Sequence, residues 1–359
     1  MPGKIMSRTL VCTVSMLAVI GIVLPANFPG LQKDDYRVRV VPRESERRVD
    51  VFVGEQLFTS YLFPDTVKKP ILYPLRTAGG AAITRGYPLE PRPGERVDHP
   101  HQVGMWFNCG DVNGLDFWNN SDAIPPARRS KMGTIVHRQV KRTAGGEGRG
   151  ELDVVMEWLA PGGTALLREE STFVFRATSG LRSIDRLTRL TALDETITFF
   201  DNKEGVLGMR VARELEQPAT KPEVFTDASG KASSVPVLDN RGVTGLFHSS
   251  EGKTGDDVWG TRGRWTALSG RIGREDVTVA ILDHAGNPGF PTYWHARGYG
   301  LFAANPLGQK ALSNGREELN LKLGPGQSAA FRYRVLILSE AFSAPSVENQ
   351  YQRFQSEVK

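Results

Sequence analysis

Runs that alternate apolar and polar residues recur along most of the chain, and they constrain its fold more than any other feature. "YRVRVVP" and "RRVDVFVG" come first. "GTIVHRQVKRT" and "ELDVVMEWL" follow, joined by "AGGEGRG", which reads as a hairpin loop. "TALLREESTFVFRA", "LRSIDRLTRLTAL", "ETITFFD", "RWTALSGRI", "DVTVAILDH", "YGLFAANP" and "SAAFRYRVLILSE" continue the series. A period of two puts successive side chains on opposite faces of a strand, so each run has one face to bury. Chains made of such runs bury those faces by stacking sheets. The 38 glycines and 22 prolines suit the turns between them. The expectation is an all-β protein, a single large antiparallel β-sandwich over residues 33–342. Only the tail, from about Pro345 to Val358, has helical character, which predicts a short C-terminal helix within residues 343–359. Gln217 to Gly245 is poor in large apolar residues and reads as a long excursion, a kind of segment that is often functional.

The N-terminus stands apart from this pattern. Lys4 and Arg8 precede the apolar run "LVCTVSMLAVIGIVLPA", and the small residue Ala26 closes it. That order describes a secretory signal or an N-terminal anchor over residues 1–26. The run is short for a spanning helix, which needs about 20 apolar residues. The body is therefore expected to be secreted or periplasmic. Loss of Lys4 and Arg8 with the signal takes the formal net charge from +5 to +3. The remaining charges are scattered, which excludes nucleic acid as a partner. Cys109 is then the one cysteine left, so the fold is held by its core, and Cys109 reads as a small buried apolar residue.

Four stretches gather chemistry-bearing residues. In "VDHPHQ", Asp98, His99 and His101 lie together; an extended backbone would turn both imidazoles to one side, where they suit a divalent metal or a substrate. Pro100 instead favours a turn, with Asp98 capping it. In "GDVNGLDFW", Asn113-Gly114 is a hairpin-turn signal. Asp116 sits among aromatic residues there, as a general acid of raised pKa or as a turn cap. Trp106 and Trp118 are candidates for stacking on a sugar ring or for the core. In "DNKEGVLGMRVAREL", a strand from Glu204 would put Gly208 and Arg210 on its face, as a ligand-facing pair or a surface ion lattice. In "PTYWHARGYG", Tyr293, His295 and Arg297 share strand parity and Trp294 faces the other way, into the core.

Together these stretches resemble the bacterial proteins labelled "methane oxygenase PmoA", a group without an established activity. The resemblance rests on "YPLRTAGGAAITRGYPLEP", "DHPHQVGMWF", "GDVNGLDFW", "KEGVLGMRVA", "DVWGTRGRW" and "PTYWHARGYGLFAANPLG", and covers roughly Pro70 to Gly308. The family pattern has a further histidine where this chain has Gln102, and often an acid where it has Gly298. A metal role that used the extra histidine is weakened here. The membrane methane monooxygenase subunit behind the label is a multi-helix membrane protein, an architecture that one apolar segment and a β-rich body cannot build. Similar proteins look like secreted or periplasmic proteins of polysaccharide-degrading bacteria. Their strand pattern is similar to the galactose-mutarotase-like supersandwich of aldose epimerases, an analogy of fold.

The resemblance and the residues together imply an extracytoplasmic protein that acts on a carbohydrate by acid–base chemistry. His101 or His295 is the expected acid, and Glu204 or Asp116 the expected base. Asp98, His99, Trp106, Trp118, Arg210, Tyr293 and Arg297 are the expected substrate contacts. Epimerisation, elimination and hydrolysis all need such a pair. A second reading is a non-catalytic glycan-binding or envelope-associated module. A third is a metal-dependent oxygenase or hydrolase with His99, His101 and His295 or Glu204 around one divalent ion.

Overall fold

The computed structural model describes residues 1–4 and 35–358. The bulk of the expected signal over residues 1–26 lies outside the described residues. From Asp35 onward the chain forms one compact unit. Among the described residues no helix is long and apolar enough to cross a membrane.

The alternating runs pair, always antiparallel, into two large sheets. The first has nine strands in the order Tyr293–Arg297, Leu301–Asn305, Gly205–Arg210, Met105–Cys109, Ile71–Leu72, Gln56–Leu62, Arg48–Val53, Arg37–Arg43 and Gly146–Glu147. The second has eight, in the order Leu246–Ser249, Trp265–Ile272, Glu275–Asp283, Ser328–Leu338, Leu181–Ala192, Ala165–Ala177, Arg149–Leu159 and Thr134–Ala144. Ile197–Phe199 and Leu321–Leu323 make a small third pair.

Period-two alternation sorts the residues between faces. Met105, Phe107 and Cys109 enter the main core, while Trp106 belongs to a separate cluster on the other face of the same strand. Aromatic rings from the two sheets meet in that core: Phe107 lies 5.5 Å from Phe331 and Phe58 lies 6.2 Å from Phe175. A buried ion pair, Arg186 to Glu169 at 2.6 Å, sits among them. Trp158 Nε1 and Ser171 Oγ also donate to Glu169, so the carboxylate is well satisfied. Cys109 is buried, and burial pushes its thiol up to about 12.

The C-terminal helix spans Ala344–Glu357, with Ser343 as its N-cap and Pro345 in its first turn. Val347, Tyr351, Phe354 and, just past its end, Val358 repeat at helical spacing and cover Trp265, Leu282 and Leu336 of the second sheet. Residues 217–245 contain no named strand, and Val235, Val237 and Leu238 are exposed there.

The outer face of the first sheet positions the candidate site. Register sets Trp106 opposite Gly208, Gly208 opposite Ala303, and Ala303 opposite His295. The next row runs Arg210, Leu301, Arg297. Two small residues thus separate a tryptophan from a histidine, and loops close over the row.

Candidate functional site

The loop over this face is organised by Arg85, which is fully buried. Its guanidinium donates to the carbonyls of Arg96, Asp98, His99 and Gln102 and to Asp98 Oδ1, at 2.8 to 3.3 Å. Arg210, also fully buried, donates to the same Asp98 Oδ1 at 2.7 Å and to Gln102 Oε1 at 2.6 Å. Burial alone would raise Asp98. The His99 hydrogen bond and the Arg210 and Arg85 charges outweigh it and hold this carboxyl well below the usual carboxylate range. The backbone here is a turn rather than an extended stretch, with Gln102 N donating to His99 O at 2.9 Å. His99 takes φ 46°, a left-handed conformation rare for a side chain of this size.

Asp98 Oδ2 lies 2.5 Å from His99 Nδ1. A carboxylate only accepts, so Nδ1 carries a proton, and Nε2 is the nitrogen not bonded to Asp98. The His99 side chain is 42% exposed, so that nitrogen is reachable. Tyr299 stacks on the imidazole, with centroids 5.3 Å apart and planes 2° from parallel. Arg210 lies 4.7 Å from the Tyr299 ring centre. Gln102 bonds the Tyr299 side chain, so one amide ties the buried arginine to the stacked ring.

Glu204 lies one residue before the Gly205–Arg210 strand. Burial raises its pKa, Lys203 opposes that, and the charges of Asp116 and His99 act on it as well. His295 comes from the edge strand Tyr293–Arg297, with Leu301–Asn305 between it and the Gly205–Arg210 strand. Its Nδ1 donates to Lys203 O at 2.8 Å and stands 3.8 Å from Glu204 Oε2. Burial pushes His295 down to about 4, and it feels the charge of His99 too. The fold therefore brings His99, Glu204 and His295 into one electrostatic neighbourhood. An imidazole oriented by a carboxylate and a carboxyl whose pKa is raised are the two kinds of group that proton transfer uses.

The other expected residues take different places. Asp116 caps its own turn, accepting from the amides of Trp118 and Asn119 and from Asn119 Nδ2. Trp106 and Trp118 are fully buried and pack edge-to-face at 5.1 Å, the core alternative rather than an open sugar platform. They close over Gly208, because the outer face of that strand needs cover. His101 meets His99 edge-on at 5.6 Å, and burial pushes it down to about 2. Its carbonyl accepts from Lys69 Nζ at 2.8 Å, and burial pushes that amine down to about 7. Tyr293 lies under Arg262 and bonds Glu317. Among the described residues no three His, Cys, Asp or Glu side chains gather as a metal site, and the His99 nitrogen Nδ1 is taken by Asp98.

Arg85, Tyr299 and Lys69 were not singled out from sequence, and Gln102 was noted only as the place of a family histidine. Arg85 and Tyr299 stand inside motifs quoted above, but a lone arginine in a Pro-rich loop has no periodic signal. Two cavities flank the neighbourhood. One of about 390 Å³ is lined by Gln217, Asp256, Trp259, Arg297 and Tyr299. One of about 310 Å³ is lined by Lys69, Ile71, Leu89, His101 and Val103.

The sequence matches, over residues 48–352, the family described as a family of unknown function, DUF6807. No curated protein matches the chain in sequence. Among solved structures, the galactosidase domain of alpha-galactosidase-sucrose kinase, AgaSK, is 8% identical over 86% of this chain and 43% of that one, with a TM-score of 0.40. This chain thus spans less than half of that structure's length. A galactose mutarotase-like protein from Lactobacillus casei ATCC 334 is 9% identical over 84% of this chain and 99% of its own, with a TM-score of 0.28.

Proposed function

We propose that this chain, which belongs to the DUF6807 family of unknown function, acts on a carbohydrate by proton transfer, with His99 and Glu204 as the exchanging groups. The observation that carries the reading is the Asp98–His99 pair. Two buried arginines keep Asp98 ionised, Asp98 keeps the Nδ1 proton, and His99 Nε2 is left open as a base. Glu204, whose pKa burial raises, supplies the acid. His295 holds the Lys203 carbonyl and is a positioning residue for Glu204. Arg85 and Arg210 act through Asp98. A sugar suits the adjoining cleft because Trp259 and Tyr299 offer aromatic faces while Gln217 and Asp256 offer polar atoms for hydroxyls. With an export signal over residues 1–26, that sugar would be met outside the cytoplasm.

The test uses the full chain and a panel of mono- and oligosaccharides. It reads deuterium uptake from heavy water into the sugar, release of reducing ends, and formation of unsaturated products. His99→Ala and Glu204→Gln should each slow the reaction roughly 10²–10⁴-fold while the sugar still binds. Wild-type rates in both variants would remove the assignment. Sugar binding without turnover in any assay would leave the glycan-binding module.

A further inference from the structure

We propose that the cleft beside His99 selects sugars carrying an acidic substituent, a carboxylate or a sulfate ester, with Arg297 holding the acid and Trp259 the ring. This rests on the carbohydrate reading above and names its substrate class. The cleft, about 390 Å³, is within the usual ~300–1,000 Å³ of small-molecule sites. It adjoins the proposed base directly, because Tyr299 both lines it and stacks on His99. Its aromatic wall is open: Trp259 is 39% exposed, although large apolar side chains are mostly buried in this protein.

The ion pairs in the cleft leave one arginine out. Of the two acids that line it, Glu223 pairs with Arg96 at 3.1 Å, and Asp256 accepts from Gln217 Nε2 at 2.8 Å. Arg96 is further paired with Glu216 at 2.7 Å. Arg297 and Lys221 also line the cleft, and among the described residues neither makes an ion pair. The Arg297 guanidinium instead lies 5.2 Å from the centre of the Trp259 ring and 6.0 Å from that of Tyr299. Contact with ring faces leaves its N–H groups for an oxyanion. Neighbouring arginines behave otherwise: Arg262 pairs with Glu317 at 2.5 Å and Arg213 with Asp239 at 3.4 Å. An anion alone would use Arg297 but not the exposed indole, and a neutral sugar would use the indole but leave Arg297 without an ion pair. A ring that carries an acid uses both.

The experiment is calorimetric titration of the full chain with galacturonate, galactose 6-sulfate and galactose, and with the corresponding gluco series. At least one acidic sugar should bind ten- to hundredfold tighter than its neutral parent. Arg297→Met, which keeps the stem against Trp259, should abolish that preference, and Arg297→Lys should retain part of it. Trp259→Ala should weaken acidic and neutral sugars alike. The carboxylate and sulfate arms identify which acid is read. Equal binding of acidic and neutral sugars in both series, no binding at all, or a preference that survives Arg297→Met would each overturn the proposal. Acetate or sulfate ion binding as tightly as the acidic sugar would overturn the ring's part. His99→Ala separates this claim from the catalytic one, because it should keep the preference while losing turnover. A retained preference with no wild-type turnover sinks the acid–base reading alone, and turnover confined to neutral sugars sinks the cleft alone.

Discussion

His99 stands in a left-handed backbone conformation directly before a proline, where an extended one is normal. Such a conformation persists only when its surroundings impose it. Here the surroundings are Arg85, whose hydrogen bonds to the carbonyls on either side hold the turn. Arg85→Met should therefore cost roughly 3–5 kcal/mol in urea unfolding, since it leaves a buried charge partner and several acceptors without a donor. Asp98→Asn should also lower stability, since two buried arginines lose the carboxylate they share, and what folds should lose activity roughly 10²–10⁴-fold, because a neutral amide no longer fixes the His99 proton. His295 makes a pH prediction. Burial holds it near 4 against an ordinary 6.5, so below about 6.5 the unfolded chain takes up a proton that the folded chain refuses. Stability should fall as pH drops from about 6.5 to about 4, by roughly 3 kcal/mol from this group alone. His295→Asn should flatten that part of the pH–stability curve. An unchanged slope in denaturant midpoints would show that His295 is not buried neutral.

At the scale of elements, the site depends on a face that local pattern assigns well. The shared parity of Tyr293, His295 and Arg297, with Trp294 in the core, was legible because a strand's period needs no partner to be read. Asn113-Gly114 was legible for a similar reason, and both residues take positive φ in the turn. The fates of Trp106 and Trp118 were not legible. Stacking on a sugar and packing against each other use the same apolar face, and only the loop that covers Gly208 decides between them. That cover gives a test. A Cβ at Gly208 would come 2.8 Å from Trp106 and 2.9 Å from Trp118. Gly208→Ala should destabilise by about 1–3 kcal/mol and shift the tryptophan fluorescence, as both rings are forced apart. The C-terminal helix docks by Phe354, which is fully buried. Phe354→Ala should cost about 3–5 kcal/mol, read from thermal unfolding.

For the whole molecule, two sheets of nine and eight strands bury one aromatic core and leave the candidate site on the outside of one sheet. The site is thus separated from the core by the thickness of a single sheet. Variants in the core, such as Glu169→Ala, should lower stability by roughly 3–5 kcal/mol through the unpaired Arg186 without changing sugar preference. The sequence by itself determined the all-β class, most of the long strands, the helical tail and the turn at Asn113. These follow from spacings of a few residues, which act before any distant contact forms. Only the tertiary structure decided that Arg85 and Arg210 converge on Asp98, that Tyr299 stacks on His99, and that Glu204 and His295 share their field. Arg85 and Arg210 are far apart in the chain and meet because the loop at Arg85 bonds the end of the Gly205–Arg210 strand, Arg85 N donating to Arg210 O at 3.0 Å. The physical reason is that periodicity is a local property of the backbone, whereas the cost of a buried charge is met only by partners that the whole fold delivers.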